Sequence, residues 1–217
     1  MASTIMHIAI SNELYKKIKD KININYYDYI LGTIAPDISK TINESKKTSH
    51  FIDKNSTIIN INNFLEKYQS TLNNPFNLGY FIHLYTDLLF FRDYYPLFIQ
   101  DGFFTSTIKK INGDKIKVSK EERKKILYND YTNLNIQLID EYNLNLDIFY
   151  NDFIKPKTNI TEIPIDKLNM LINEAGIIIQ QLKTPKEYII DISSIKSFID
   201  DCVDELYIKL ISLGVIK

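Results

Sequence analysis

The chain has only three histidines, His7, His50 and His83, so each imidazole can be weighed on its own. His83 and Asp87 stand four apart in GYFIHLYTDLLFFRDYY, residues 79–95, which otherwise reads as protein interior. On a helix that spacing stacks both side chains on one face, with Cβ atoms about 5–6 Å apart. Two readings of the pair are open: a core histidine hydrogen-bonded to its carboxylate, or two ligands sharing a metal ion. The other polar exceptions favour the second. His7 falls in the first turns of an apolar helix, Asp37 follows the turn forced by Pro36, and His50 lies in a polar run. Together His7, Asp37, His50, His83 and Asp87 mix nitrogen with hard oxygen donors, a set that suits zinc, or iron or manganese. Burying a lone carboxylate costs several kcal/mol, and coordination to a dication offsets that cost.

These residues need elements to position them, and the pattern predicts helices. Ser3 or Thr4 caps a helix to about Lys19, with Ile8, Leu14 and Ile18 on an apolar face. YYDYILGTIAPDIS begins as an apolar segment and is stopped by Gly32 and Pro36, because proline removes a donor and disfavours helix at Ala35. Residues 39–57 are the most polar run and read as an exposed loop, with room for a short helix, that carries His50. A helical pattern covers about 59–72. Asn74-Pro75 then breaks the chain and starts a second helix over 76–93, apolar nearly all round and therefore central and buried. Residues 97–111 are expected to be helical, with NGDK at 112–115 as a turn; a turn joining two short strands is the alternative, ranked lower because the neighbouring segments are helical. Ser119 and Glu122 form a capping box that opens the clearest amphipathic helix, SKEERKKILYNDYTNLNIQLIDEYNL. Helices over about 165–182 and 192–213 follow, the last ending before Gly214. The expected fold is all-α, a single multi-helix domain over 1–217 with a buried central helix.

Bulk properties exclude several function classes. Twenty-six Lys and Arg against 27 Asp and Glu leave a net charge of -1, so the chain has no global basic field for nonspecific nucleic-acid binding. The single cysteine, Cys202, rules out an internal disulfide framework and a cysteine-rich zinc module. MASTIMHIAI lacks a basic leader followed by a long apolar stretch, and no apolar run reaches the roughly 18 residues that span a bilayer. The expected compartment is the cytoplasm.

In order and context, STIMHIAI, ILGTIAPDIS, TSHF and LGYFIHLYTD resemble the zinc-dependent phospholipase C family: its N-terminal histidine, its Gly-x-x-x-Pro-Asp segment, its loop histidine and its His-x-x-x-Asp helix. These motifs cover about the first 95 residues. The resemblance implies a phospholipase C/nuclease-like helical bundle with the metal at the end of a cleft between helices. It implies that Asp37, His50, His83 and Asp87 form one metal site, with Asp87 bridging to a second ion that His7 helps to hold. It also implies a phosphoester-type small molecule or a lipid headgroup as substrate. Secreted relatives place further His and Glu ligands downstream, whereas no histidine follows His83 here, so one or two ions are expected rather than three.

Asp37 and Asp130 are the catalytic candidates, Asp130 as a general base or an additional ligand from YNDY on the amphipathic helix. Asp53 and Asp93 are candidates for orienting ligand imidazoles, against the plainer reading of solvated surface carboxylates. Lys46 and Lys47, just before His50, are candidates for attracting a phosphate. The leading expectation is a metal-dependent hydrolase of phosphoester bonds acting through a metal-activated water. An HD-type phosphohydrolase ranks below it, because the sequence has no adjacent His-Asp. The alternative from another class is a non-catalytic helical binding module with a structural or vestigial metal site.

Overall fold

The computed structural model describes residues 2–180 and 189–217. Its helices are α1 (Thr4–Ile18), α2 (Tyr26–Ile34), the short α3 (Ile38–Thr41) and α4 (Lys46–Ser49), α5 (Ile61–Tyr68), α6 (Pro75–Leu89), α7 (Lys120–Glu141), α8 (Leu168–Gln180) and α9 (Ile192–Ser212). Three short strands, β1 (Ile99–Asp101), β2 (Thr105–Lys109) and β3 (Lys115–Ser119), interrupt them. The helical class expected from the sequence is present, with one small sheet added to it.

α6 is the central element, with every residue from Phe76 to Asp87 buried. Asn74 caps it by accepting from the Asn77 amide, and Pro75 occupies the first turn, where its missing donor costs nothing. The helix packs on α1, α2, α5 and α9. It ends at Leu89, four residues short of the expected 93, and passes into a π turn over Phe90–Tyr94. A continuous apolar cluster runs from Ala2 to Ile216 around it.

Gly32 does not stop α2. The helix continues to Ile34, and the glycine serves close packing instead. A Cβ on Gly32 would lie 2.1 Å from the Phe76 carbonyl oxygen, and one on Gly79 would lie 2.1 Å from the Tyr29 carbonyl oxygen. α2 and α6 therefore meet backbone to backbone, which requires a bare Cα on each side. Pro36 ends the regular helix as expected, converting Ala35–Asp37 into a 3-10 turn.

The expected helix over 97–111 is overturned by the antiparallel sheet, ordered β1-β2-β3. Both of the longer strands pack on α7, and on their less exposed face Ile108 pairs with Ile116 and Ser106 with Val118. Their alternation with Thr105, Thr107, Lys115 and Lys117 has the strand period of two, which competes well with helix where the β-branched side chains find a helix to cover them. Asn112-Gly113 makes the second turn, with Gly113 left-handed at φ 89° and its amide bonded to the Lys110 carbonyl.

The capping box of α7 is present: the Ser119 hydroxyl accepts from the Glu122 amide, and the Glu122 carboxylate accepts from the Ser119 amide. Ser3 caps α1 by accepting from Met6, and Gly214, at φ 70°, follows α9. Residues 165–167 form a 3-10 turn before α8, and residues 181 and 182 of the expected helix lie outside the described residues. No helix among the described residues is long and apolar enough to cross a membrane.

Candidate metal centre

Four elements bring His7 from α1, Asp37 from the 3-10 turn, His50 from the end of α4, and His83 and Asp87 from α6 to one place. The His50 and His83 Nε2 atoms stand 3.3 Å apart. His50 Nε2 lies 3.6 Å from Asp37 Oδ1 and 3.8 Å from Asp87 Oδ2. His7 Nε2 lies 3.4 Å from Asp87 Oδ1. Two trios of these groups, His7, His83 and Asp87, and Asp37, His50 and His83, are close enough to hold a metal ion.

Two of the imidazoles, His83 and His50, have a polar group behind the ring. His83 Nδ1 meets the Thr33 carbonyl oxygen at 2.7 Å, and a carbonyl only accepts, so Nδ1 carries the proton. Burial, reinforced by His7, pushes His83 well below the usual imidazole range, so the ring is neutral and its Nε2 offers a lone pair. A backbone carbonyl behind the ligand nitrogen is the usual way a metal-binding histidine is oriented. His50 Nδ1 lies 2.9 Å from the Ser49 hydroxyl. Burial lowers His50 to about 4, with Asp87 opposing the shift and Lys46 adding to it.

The approach to His50 is built by local geometry that the sequence hides. The polar run 39–57 is largely exposed and contains the short helix α4, but Ser49 and His50 at its centre are buried. Phe51 takes a left-handed conformation at φ 52°, unusual for a side chain without a polar atom, and reverses the chain just after His50. The Ile52 amide closes that turn on the Lys47 carbonyl, and the Phe51 ring is wedged against Phe64 and Tyr80. Tyr80, one turn before His83 on α6, donates its hydroxyl to the Ser49 carbonyl at 2.5 Å. It ties the two histidine segments together.

The groups fit a cation. Both ring nitrogens of His7, Asp37 Oδ1 and Asp87 Oδ2 are buried and make no hydrogen bond among the described residues. Such orphans are rare in native interiors and call for an ion or a water. Asp87 Oδ1 accepts from the Ala2 amide at 2.8 Å. Burial alone would raise Asp87, yet the surrounding nitrogen groups, His7 and His83 among them, hold it well below the usual carboxylate range. Asp37 goes the other way, pushed up to about 6 by burial, with His7 opposing and Asp87 reinforcing. Its side chain is 14% exposed, against 1% for those of His7, His50 and Asp87. Asp37 and Lys40 together line a cavity of about 100 Å³ bounded by Ser3, Thr4, Tyr128 and Asn135.

The His7 and His83 rings are stacked, with centroids 3.9 Å apart and planes within 10°. An imidazole binds a metal in its ring plane, so two parallel rings cannot both direct lone pairs at one ion without turning. His50 and His83 are inclined by 71° and can.

The remaining candidates lie elsewhere. Asp130 is buried, and its Oδ2 accepts from the amides of Ile189 and Ile190 at 2.7 and 3.0 Å. It anchors the entry to α9 and is not one of the converging groups. Asp53 accepts from Asn60 and Asn63, and Asp93 pairs with Arg92, as surface carboxylates do. Lys47 Nζ donates to the Lys54 carbonyl, and Lys46 Nζ sits 5.7 Å from the Phe91 ring centroid. Thr33, Ser49, Tyr80 and Lys40 were not singled out from the sequence. Only Tyr80, three residues before His83 on the same helix, carried a positional signal.

No curated protein and no solved structure matches the chain. Residues 6–90 match the family described as zinc dependent phospholipase C, and this segment contains every converging residue from His7 to Asp87. Over that segment, about two fifths of its length, the chain is similar to the zinc dependent phospholipase C family.

Proposed function

We propose that the protein is a metal-dependent hydrolase of phosphoester bonds, with Asp37, His50, His83 and Asp87 holding one ion and His7 with Asp87 Oδ1 facing a second position. The observation that carries this reading is the 3.3 Å between the two Nε2 atoms. Two nitrogens bound at about 2.05 Å and subtending a tetrahedral angle stand about 3.3–3.4 Å apart. Hydrogen bonding alone would require His50 Nε2 to donate to His83 Nε2, and that arrangement leaves the buried Asp37 Oδ1 and Asp87 Oδ2 beside it without partners. Zinc is the metal that this donor set and the family suggest, and iron or manganese would also be accommodated.

A dication bound there would supply Lewis acidity and bring a water toward ionisation near neutral pH. The chain's own residues do the rest. Thr33 fixes the His83 tautomer. Asp37, the one member of the set open to the cavity, is placed to take the proton of the attacking water. Lys40, at the mouth beside Asp37, binds phosphoryl oxygens as they gain charge. Asp130 has no part in this scheme, because its carboxylate serves the backbone of Ile189 and Ile190.

The second reading is a structural metal in a binding module. The near-complete burial of His50, His83 and Asp87 favours it, since a closed four-ligand site reads as structural. Metal analysis of the purified protein, with a panel of phosphodiester and phosphomonoester substrates, separates the two. The hydrolase reading expects bound metal and turnover that Asp87→Asn and His83→Ala abolish. Bound metal without turnover on any phosphoester leaves the structural reading, and neither bound metal nor a loss of stability with chelator removes both.

A further inference from the structure

The β1–β2 hairpin carries its two most exposed apolar side chains where a fold has no use for them. Gly102 and Thr105 close the turn, the Gly102 amide bonding to the Thr105 carbonyl at 2.8 Å, so Phe103 and Phe104 occupy the two tip positions. They are 84% and 80% exposed, and their rings pack edge to face with centroids 4.6 Å apart. Tip positions ordinarily hold Gly, Asn, Asp or Pro.

The sheet behind the tip is basic on its outer face. Lys109 and Lys115 are paired directly across β2 and β3, and Lys117 follows two residues on along the same face. All three are exposed, and none forms an ion pair among the described residues. Like charges placed opposite each other in a sheet destabilise it. Lys109 and Lys115 line a cavity of about 230 Å³ beside Leu97, itself 64% exposed. Residues 99–125 hold eight basic against four acidic side chains, although the whole chain carries -1. The positive charge is gathered here.

Aromatic rings on a projecting turn next to unpaired lysines match the two layers of a lipid interface, apolar below and anionic phosphate above. We propose that this hairpin face docks on an anionic lipid surface, with Phe103, Phe104 and Leu97 entering the headgroup boundary and Lys109, Lys115 and Lys117 meeting lipid phosphates. The sheet lies along the surface rather than end-on. From Phe104 to Lys109 is about 17 Å of strand, twice the roughly 8 Å screening length at physiological salt, so end-on entry would leave the lysines without effect. This docking goes beyond the hydrolase reading and is tested by binding alone.

The full chain is sedimented with phosphatidylcholine vesicles, with and without phosphatidylglycerol, at increasing salt. Binding to the anionic vesicles alone, weakening with salt, is expected. Phe103→Ser with Phe104→Ser lowers partitioning at least tenfold, and Lys109→Glu with Lys115→Glu by more than the roughly fivefold expected for one lysine. Neither pair contacts the core, so melting temperatures stay at the parent value and a folding defect is read separately. Phe103→Trp gives an independent signal, a blue shift of emission on adding anionic vesicles. No binding of the parent chain, equal binding of the serine variant, or unchanged binding of the charge-reversed variant overturns the proposal. So does a dimer in solution that the serine variant dissociates, which would make the tip a protein interface. Asp87→Asn is expected to bind vesicles like the parent, so loss of turnover and loss of docking are read apart.

Discussion

Replacing Gly79 with alanine tests the link from packing to site. The new Cβ would sit 2.1 Å from the Tyr29 carbonyl oxygen and 2.7 Å from the Thr33 nitrogen. To reach ordinary contact α2 and α6 must part by about 1 Å. The His83–Thr33 hydrogen bond, 2.7 Å in the parent, would open beyond bonding distance and leave a buried N–H without a partner. Overpacking costs about 1–3 kcal/mol, and an unsatisfied buried donor about 1–3 more, so the expected destabilisation is about 2–6 kcal/mol. In a chain of this size that corresponds to a melting temperature about 4–24 °C lower. The same movement disturbs the orientation of His83 and lowers metal affinity at least tenfold, the usual effect of losing a partner behind a ligand. Thermal melts with and without zinc, together with a competition titration, measure both. Gly176→Ala is the control, since its Cβ meets Phe149 at 3.5 Å and the helix should gain slightly. A Gly79→Ala protein that melts within a few degrees of the parent and binds metal equally well would refute the reasoning.

Asp130→Ala leaves the Ile189 and Ile190 amides without their acceptor and should cost about 2–4 kcal/mol in a denaturant melt, with metal content unchanged; a loss of metal instead would return Asp130 to the site. The metal-free protein should lose stability as pH falls from about 6.5 toward about 4. Burial holds folded His50 down at about 4 and folded His83 well below the usual imidazole range, so the unfolded chain binds protons that the folded chain refuses. Asp37 acts oppositely: its carboxyl, raised to about 6, takes up a proton in the folded state first and offsets part of the loss. Melts across that range check the net sign, and a metal-free protein that becomes more stable on acidification would contradict it.

Where the sequence could be read, local chemistry and tertiary demand agreed. The α6 start was legible because Asn74 and Pro75 are good capping residues and the helix is apolar on every side. The α7 start was legible from its capping box. Four short motifs placed His7, Asp37, His50, His83 and Asp87 together, and they do converge. The sheet was missed because lysines between its apolar residues read as the polar face of a helix, and strand pairing is not local. Gly32 was misread as a stop because the backbone it packs against, at Phe76, lies far along the chain. The support behind His83 was invisible for a similar reason: a carbonyl oxygen, at Thr33, has no side-chain identity to read. The burial of His50 was hidden by the polar residues around it, which Phe51 and Tyr80 fold back over the histidine.

α1, which carries His7, packs most extensively on α9. His50, His83 and Asp87 can meet once residue 90 has left the ribosome, yet α9 does not exist until some hundred further residues are made, on the order of ten seconds later. During that interval His7 rides on a helix without its main support. The four groups on the other side of the centre would therefore be assembled first, and synthesis of the final helix would set the moment at which the N-terminal histidine is locked into place.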